Sequence, residues 1–266
     1  MRILLTNDDG YQSKGITVLE KALVQAGHEV WVCAPSHERS ASSHAMTLRG
    51  DITITEYAPM HYHCSGTPAD CMLYARKGNI FSSDPDLVIS GINHGYNIST
   101  DILYSGTVGA AREAVLTGMK AIALSCTRDE DGHFAFEKAA TFMVDHLHEL
   151  YPLCSSECIL NINVPSKGNG KWKPAVMSYL DYKDAVTMKE EENQKVYEDS
   201  SITLGNSVVF SLKGGTPPVQ KCDTLETDFQ AVSAGYVSIT ALSILPPIQQ
   251  DVQSQLALLS EGACHV

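Results

Sequence analysis

The stretch Arg2-Ile3-Leu4-Leu5-Thr6-Asn7-Asp8-Asp9-Gly10 (RILLTNDDG, residues 2–10) decides the fold. A short apolar run closed by a turn-forming Asn-Asp-Asp-Gly reads as a fully buried strand. Such strands belong to parallel sheets covered by helices on both faces. The next segment agrees. Ile16, Leu19, Leu23 and Ala26 recur on one helical face across residues 15–27, Gly27 stops the helix, and HEVWVCAP (28–35) is a second strand. Strand, helix and strand in that order make a βαβ unit.

The alternation continues outward from it. Strands are expected at 52–57, 85–93, 121–126 and 158–165, and helices at 68–77 (with Pro68 in its first turn), 107–117 (closed by Gly118) and 136–151. The sum is an α/β fold, a doubly wound, Rossmann-like, mainly parallel sheet, with residues 1–165 as its catalytic core. From 166 the character changes. KGNGKWKP is a Gly/Lys-rich loop, 181–200 is strongly polar, and the β-like runs SITL (201–204) and SVVFSL (207–212) flank Gly205-Asn206. A hairpin cannot bury a core alone. Residues 166–234 therefore read as an extension with a hairpin arm that packs on another subunit or over the active site. A strand at 235–242 returns to the core and a C-terminal helix completes 235–266, the whole forming a single domain.

Composition narrows the function. With 266 residues, 44% hydrophobic and 19% charged, the chain can bury a real core and is not disordered. Its formal net charge of −12 repels nucleic-acid polymers and anionic membranes, yet leaves room for a small phosphorylated ligand beside a metal or a helix N-terminus. The apolar run at the N-terminus is too short for a signal peptide, and no stretch is long enough to span a bilayer. The eight cysteines are scattered. Cys154 and Cys158 are the closest pair, and no second pair follows at zinc-site spacing, so reduced thiols and a cytoplasmic location are expected.

Open α/β sheets bind ligands at the carboxyl ends of their strands, and three polar clusters fall there. Asp8 and Asp9 end the first strand, where adjacent carboxylates repel one another unless a hard cation relieves them. The hydroxyl-rich loop Pro35 to His44 follows the second strand and can offer Ser oxygens to a metal and N–H groups to an anion. SGINHGYN (90–97) follows a third, with Asn93 as an oxygen donor. Behind it, Ser105-Gly106-Thr107 opens a helix and so forms a phosphate cradle at the positive end of the helix dipole. His44 and His94 lie near by motif position and read as structural or surface residues, and no side chain identifies itself as a general acid.

LLTNDDG, the Ser loop after Ala34-Pro35, SGTPADC (65–71), SGINHGYN, LYSGTVGAAREA and TDFQAVSAGYVSITAL (227–242) resemble, in this order, the SurE (survival protein E) family of 5′/3′-nucleotidases. The resemblance runs from residue 1 to about 245. It implies a metal-dependent phosphohydrolase that releases phosphate from nucleoside monophosphates, with short polyphosphate as a further candidate substrate and a homodimer or homotetramer as the assembly. The family's metal ligands fall on Asp8, Asp9, Ser40 and Asn93, its phosphate-contacting residues on Asn97 and Ser105 to Thr107. An all-oxygen set of this kind suits one Mg²⁺ or Mn²⁺ per subunit. Asp8 and Asp9 are also the catalytic candidates. Two residues depart from the family pattern. Ala41 and Ser43 stand where glycine is usual, so a positive φ at either would be strained.

Rivals fit less well. Phosphatases that form an aspartyl-phosphate place their acids as Asp-x-Asp, whereas here they are adjacent. A receiver-like phosphate-binding module without turnover also has paired acids after its first strand, but it is about half this length and needs an acceptor Asp where this chain has SGIN. A dinucleotide-binding oxidoreductase would show G-x-G-x-x-G after the first strand.

Overall fold

In a computed structural model of the chain, residues 1–181, 186–189, 209–212, 216–219, 225–245, 250 and 253 are described. Nine strands form one sheet. The first, β1 (Arg2–Thr6), pairs in parallel with β2 (Glu29–Pro35) on one side and β5 (Leu87–His94) on the other. Beyond β5 lie β6 (Ala121–Cys126) and β7 (Cys158–Val164), both parallel. Beyond β2 come β4 (His61–Cys64), parallel, and β3 (Ile54–Ala58), antiparallel at the edge. On the far side β13 (Val237–Ser243) runs antiparallel to β7 and carries the short β8 (Trp172–Pro174) beside it. The sheet is mainly parallel, as the βαβ pattern requires.

Successive side chains of a strand point to opposite faces, and the core divides accordingly. Ile3 and Leu5 face one layer with Val30, Val32, Ile89 and Leu124, covered by α1 (Lys14–Gln25) and α4 (Phe136–Leu150). Leu4 faces the other with Trp31, Cys33 and Val88, covered by α2 (Pro68–Lys77) and α3 (Gly106–Leu116). The buried stripe of α1 is Gly15, Ile16, Leu19 and Leu23, and the helix ends before Gly27, whose φ is +84°. In α2 the Thr67 hydroxyl and the Asp70 carboxylate form a reciprocal capping box, with Pro68 in the first turn.

Several elements lie outside the expected pattern. Strand β4 (HYHC) has no apolar alternation, and β8 (WKP) sits in what reads as a Gly/Lys-rich loop; both take their conformation from the strand beside them. Helix α5 (Asp228–Ser233) is short and is set by its own capping box, Thr227 with Gln230. Of the expected arm, the described part of SVVFSL is β11 (Val209–Leu212). It pairs antiparallel with β10 (Val186–Lys189), from the polar run. A second small pairing joins β9 (Tyr179–Asp181) to β12 (Thr216–Val219). SITL lies outside the described residues, as does the expected C-terminal helix apart from Gln250 and Gln253. Cys33, Cys64, Cys71, Cys126 and Cys154 are free and buried, and Cys158 is free and half-buried. No helix among the described residues is long and apolar enough to cross a membrane.

Candidate functional site

At the carboxyl ends of β1, β2 and β5 a cavity of about 470 Å³ is lined by Asp8, Asp9, Glu38, Ser40, Ala41, Asn93, His94, Asn97, Asp101, Tyr104, Ser105 and Arg128. The topology thus brings the three sequence clusters to one place. Asp8 is 4% exposed, and its Oδ1 accepts a hydrogen bond from the Thr107 hydroxyl at 2.5 Å. Burial pushes its carboxyl up to about 6, the neighbouring Asp9 charge adds to that push, and hydrogen bonds, above all from Thr107, oppose it. The Asp9 side chain is 5% exposed; its Oδ1 lies 2.9 Å from His94 Nδ1, while its Oδ2 is buried with no hydrogen-bond partner. The same contact with Asp9 holds the His94 imidazole above its ordinary pKa against the opposing effect of burial. His94 is therefore a member of the site.

The remaining donors come from loops. Asn93 donates from Nδ2 to the Gly95 carbonyl at 3.0 Å, which turns its amide oxygen the other way. The Ser40 hydroxyl donates to Glu38 at 2.6 Å and keeps its lone pairs, and Ser42 Oγ is buried without a partner. These oxygens fit a hard divalent cation. Two carboxylates, a hydroxyl and an amide meet in one cavity, and one buried carboxylate oxygen is left unsatisfied, a costly state for a chain that offers it no donor.

The expected anion residues are distributed unevenly. Asn97 and Ser105 line the cavity. Asn97 is held from beneath by Ser125, Asn161 and Asn163, all buried, through bonds of 2.7–3.0 Å. Ser105 caps α3 by accepting from the Val108 N–H. Gly106 and Thr107 are fully buried behind them, and Thr107 is turned to Asp8. A Cβ on Gly106 would stand 2.5 Å from Ser42 Oγ and 2.8 Å from Asp8 Cβ, and one on Gly109 would stand 2.3 Å from the Ser43 carbonyl oxygen. Only glycine lets α3 come this close.

Two buried carboxylates, both in motifs of the sequence, fix the loops. Asp70 accepts from the Thr47 N–H and hydroxyl (3.0 and 2.7 Å) as well as from the Thr67 N–H, so α2 grips the Ser loop. Asp228 accepts from Ser99 N, Ser178 N, Ser178 Oγ and Phe229 N at 2.5–3.0 Å, and so anchors the 3-10 turn Ser99–Leu103 that leads into Tyr104 and Ser105. Neither role was read from the sequence; the spacing Thr67-x-x-Asp70, which suits a helix cap, is a signal that could have found the first. His44 bonds Glu113 at 2.9 Å and acts as a strut between the Ser loop and α3. Glu38, Asp101, Tyr104 and Arg128 carried no spacing signal. A separate gathering of metal-type ligands, Asp129, Asp131 and His133, is exposed at a loop tip.

Ala41 and Ser43 both have φ of +55°. Ser43 recovers part of that cost by donating from N to the Tyr104 carbonyl and from Oγ to the Leu103 carbonyl (2.9 and 2.6 Å). Ala41 has no such bond among the described residues, so Ala41→Gly is expected to raise stability by about 0.5–1 kcal/mol in urea unfolding, net of the extra freedom glycine gives the unfolded chain. A lowered midpoint would contradict this strain.

Asp8 supplies a second expectation. Its pKa is higher in the folded chain than its ordinary 3.8, so the metal-free protein loses stability as pH rises from about 4 to about 6 and carries the full cost above that. In EDTA at pH 7.5, Asp8→Asn is expected to be more stable than the unchanged chain by on the order of 2–3 kcal/mol, with the gain fading by pH 4. Equal melting at both pH values would remove the argument.

The family model described as "Survival protein SurE" matches residues 3–185. A protein named 5'-nucleotidase SurE from Treponema pallidum (strain Nichols) is 46% identical over 170 residues, 62% of this chain and 91% of that protein. One of the same name from Desulfitobacterium hafniense (strain DSM 10664 / DCB-2) is 37% identical over 245 residues, 91% of this chain and 90% of its own length. The crystal structure of the Sure protein from Aquifex aeolicus superposes with a TM-score of 0.80 at 29% identity, covering 98% of this chain and all of that one.

Proposed function

The chain belongs to the SurE family, and from that premise we propose that it is a divalent-metal-dependent nucleotidase, hydrolysing nucleoside monophosphates to nucleoside and inorganic phosphate. The observation that carries the metal is the buried, partnerless Asp9 Oδ2 beside the buried Asp8. Asp8, Asp9, Ser40 and Asn93 would hold one Mg²⁺ or Mn²⁺, which when bound supplies Lewis-acid charge for the phosphoryl oxygens and the attacking water.

The chain's own residues do the rest. Ser105 and Asn97 face the cavity from the amino end of α3 and from the loop after β5, where they orient the anion. Thr107 and His94 hold the two carboxylates in place by one hydrogen bond each. Water attacks phosphorus in line, the bond to the nucleoside oxygen breaks, and that oxygen leaves with a proton that comes from water. In this reading Asp8 or Asp9 takes up the proton of the attacking water. Short polyphosphate offers the same terminal phosphoryl group and is a candidate substrate. The segment 166–234 is read as the oligomerising arm of a homodimer or homotetramer, and the free, buried thiols favour a cytoplasmic protein.

The test is phosphate release from a panel of nucleoside 5′- and 3′-monophosphates in EDTA, with Mg²⁺ or Mn²⁺ added back. Activity that EDTA removes and metal restores is expected, and Asp9→Asn should lower it by about a hundredfold or more with the fold intact. Turnover that persists in EDTA, or full activity in Asp9→Asn, would refute the metal site. Phosphate binding without release under any metal would favour the receiver-like module.

A further inference from the structure

The cavity that is to receive a phosphate dianion is lined by four carboxylates, Asp8, Asp9, Glu38 and Asp101. One divalent cation offsets only part of that charge. Among the described lining residues a single Lys or Arg faces it, Arg128. This residue lies on the loop after β6, and its surroundings hold it ready. Its guanidinium carbon sits 4.6 Å from the Phe134 ring centroid, Phe134 stacks on His94 at 4.8 Å, and His94 bonds Asp9. The backbone is fixed as well. Arg128 and Phe134 form an antiparallel bridge, and the Ser166 hydroxyl donates to the Arg128 carbonyl at 2.7 Å.

Acids adjoin Arg128 in the chain, yet they are engaged elsewhere. Asp129 lies 3.8 Å from His133, and Glu130 pairs with Lys167. No carboxylate among the described residues pairs with Arg128 itself. An aromatic face orients a guanidinium while leaving its N–H edge free, the edge that binds phosphate in a two-pronged fashion. Arg128 also borders a second cavity, of about 500 Å³, lined in part by Tyr96, Lys167 and Gly235, so it stands where the site continues outward.

We propose that Arg128 is a catalytic residue of this site: its guanidinium contacts the transferred phosphoryl group. It carries part of the charge on the phosphoryl oxygens while the bond from water to phosphorus forms and the bond to the nucleoside oxygen breaks. Arg128 gives up no proton in this step. The assignment rests on the nucleotidase reading above.

The experiment compares Arg128→Ala and Arg128→Lys with the unchanged chain in nucleoside monophosphate hydrolysis with Mn²⁺. Arg128→Ala is expected to lower kcat by about a hundredfold, with a smaller change in KM. Arg128→Lys should recover only part, because the charge returns without the fork. Guanidinium ion added to Arg128→Ala should restore rate, while its Mn²⁺ affinity and Tm stay those of the unchanged chain. A kcat within about threefold of the unchanged chain overturns the assignment. So does a loss that guanidinium cannot rescue, or one accompanied by weakened Mn²⁺ binding, since Arg128 would then act by holding the Phe134–His94 stack. Should the unchanged chain release no phosphate from any nucleotide, the nucleotidase reading fails separately. Calorimetric binding of inorganic phosphate with Mn²⁺ then decides Arg128: about tenfold weaker binding in Arg128→Ala supports the contact, and equal binding overturns it.

Discussion

The carboxylate of Asp8 lies buried against the first turn of α3, one hydrogen bond from Thr107 and one residue from a second carboxylate. Keeping an ionised group there works against the preference of charge for water, and much of the surrounding architecture follows from that constraint. The helix must press close enough for Thr107 to reach it, which excludes any side chain at Gly106 and Gly109. The strand next to β1 must end in a residue that can hold Asp9, and β5 ends in His94. The chain spends stability on this arrangement, as binding sites commonly do. A cation would return what Asp8 and Asp9 cost.

Around that centre the loops are held from a distance by groups that never face the cavity. Asp70 and Asp228 are both fully buried and both saturated with hydrogen bonds, one securing the Ser loop and the other the turn before Ser105. Beneath Asn97, Ser125, Asn161 and Asn163 form a polar floor in what would otherwise be apolar sheet core. The Asn161 side-chain oxygen in that floor is left without a partner, whereas the carboxylates of Asp70 and Asp228 have theirs, and satisfied buried groups of this kind give the loops one geometry rather than several. The left-handed Ala41 and Ser43 are tolerable for this reason: the ends of their loop are fixed independently.

Much of the fold was legible because strands β1, β2, β5, β6 and β7 are short apolar runs, and the helices between them show 3.6-residue periodicity with Gly or Pro at their ends. What could not be read was structure imposed by neighbours. His61–Cys64 and Trp172–Pro174 become strands because an adjacent edge offers them hydrogen bonds. In the site, the three polar clusters could be placed together because strand ends converge in such sheets, while Ser40 and Asn97 were singled out within them by the family resemblance. The partner of each carboxylate could not, since Thr107 and Asp8 are 99 residues apart. Arg128 was equally hidden: its meaning depends on Phe134 and His94 lying beneath it, and no spacing encodes a stack. Ala41 and Ser43 are an instructive middle case, since missing glycines suggested strain that the backbone angles then display.

The order of the pieces along the chain has a consequence for synthesis. Strands β1, β2, β5, β6 and β7 and the cavity residues from Asp8 to Arg128 all emerge from the ribosome early. Asp228, which ties down the turn before Ser105, and β13, which closes the far side of the sheet beside β7, follow only after β7 has ended at Val164. A growing chain can therefore assemble the strands that carry both carboxylates before it can fix the turn that leads into Ser105. A chain that stops before Asp228 would carry both carboxylates with the Ser99–Leu103 turn unanchored on that side.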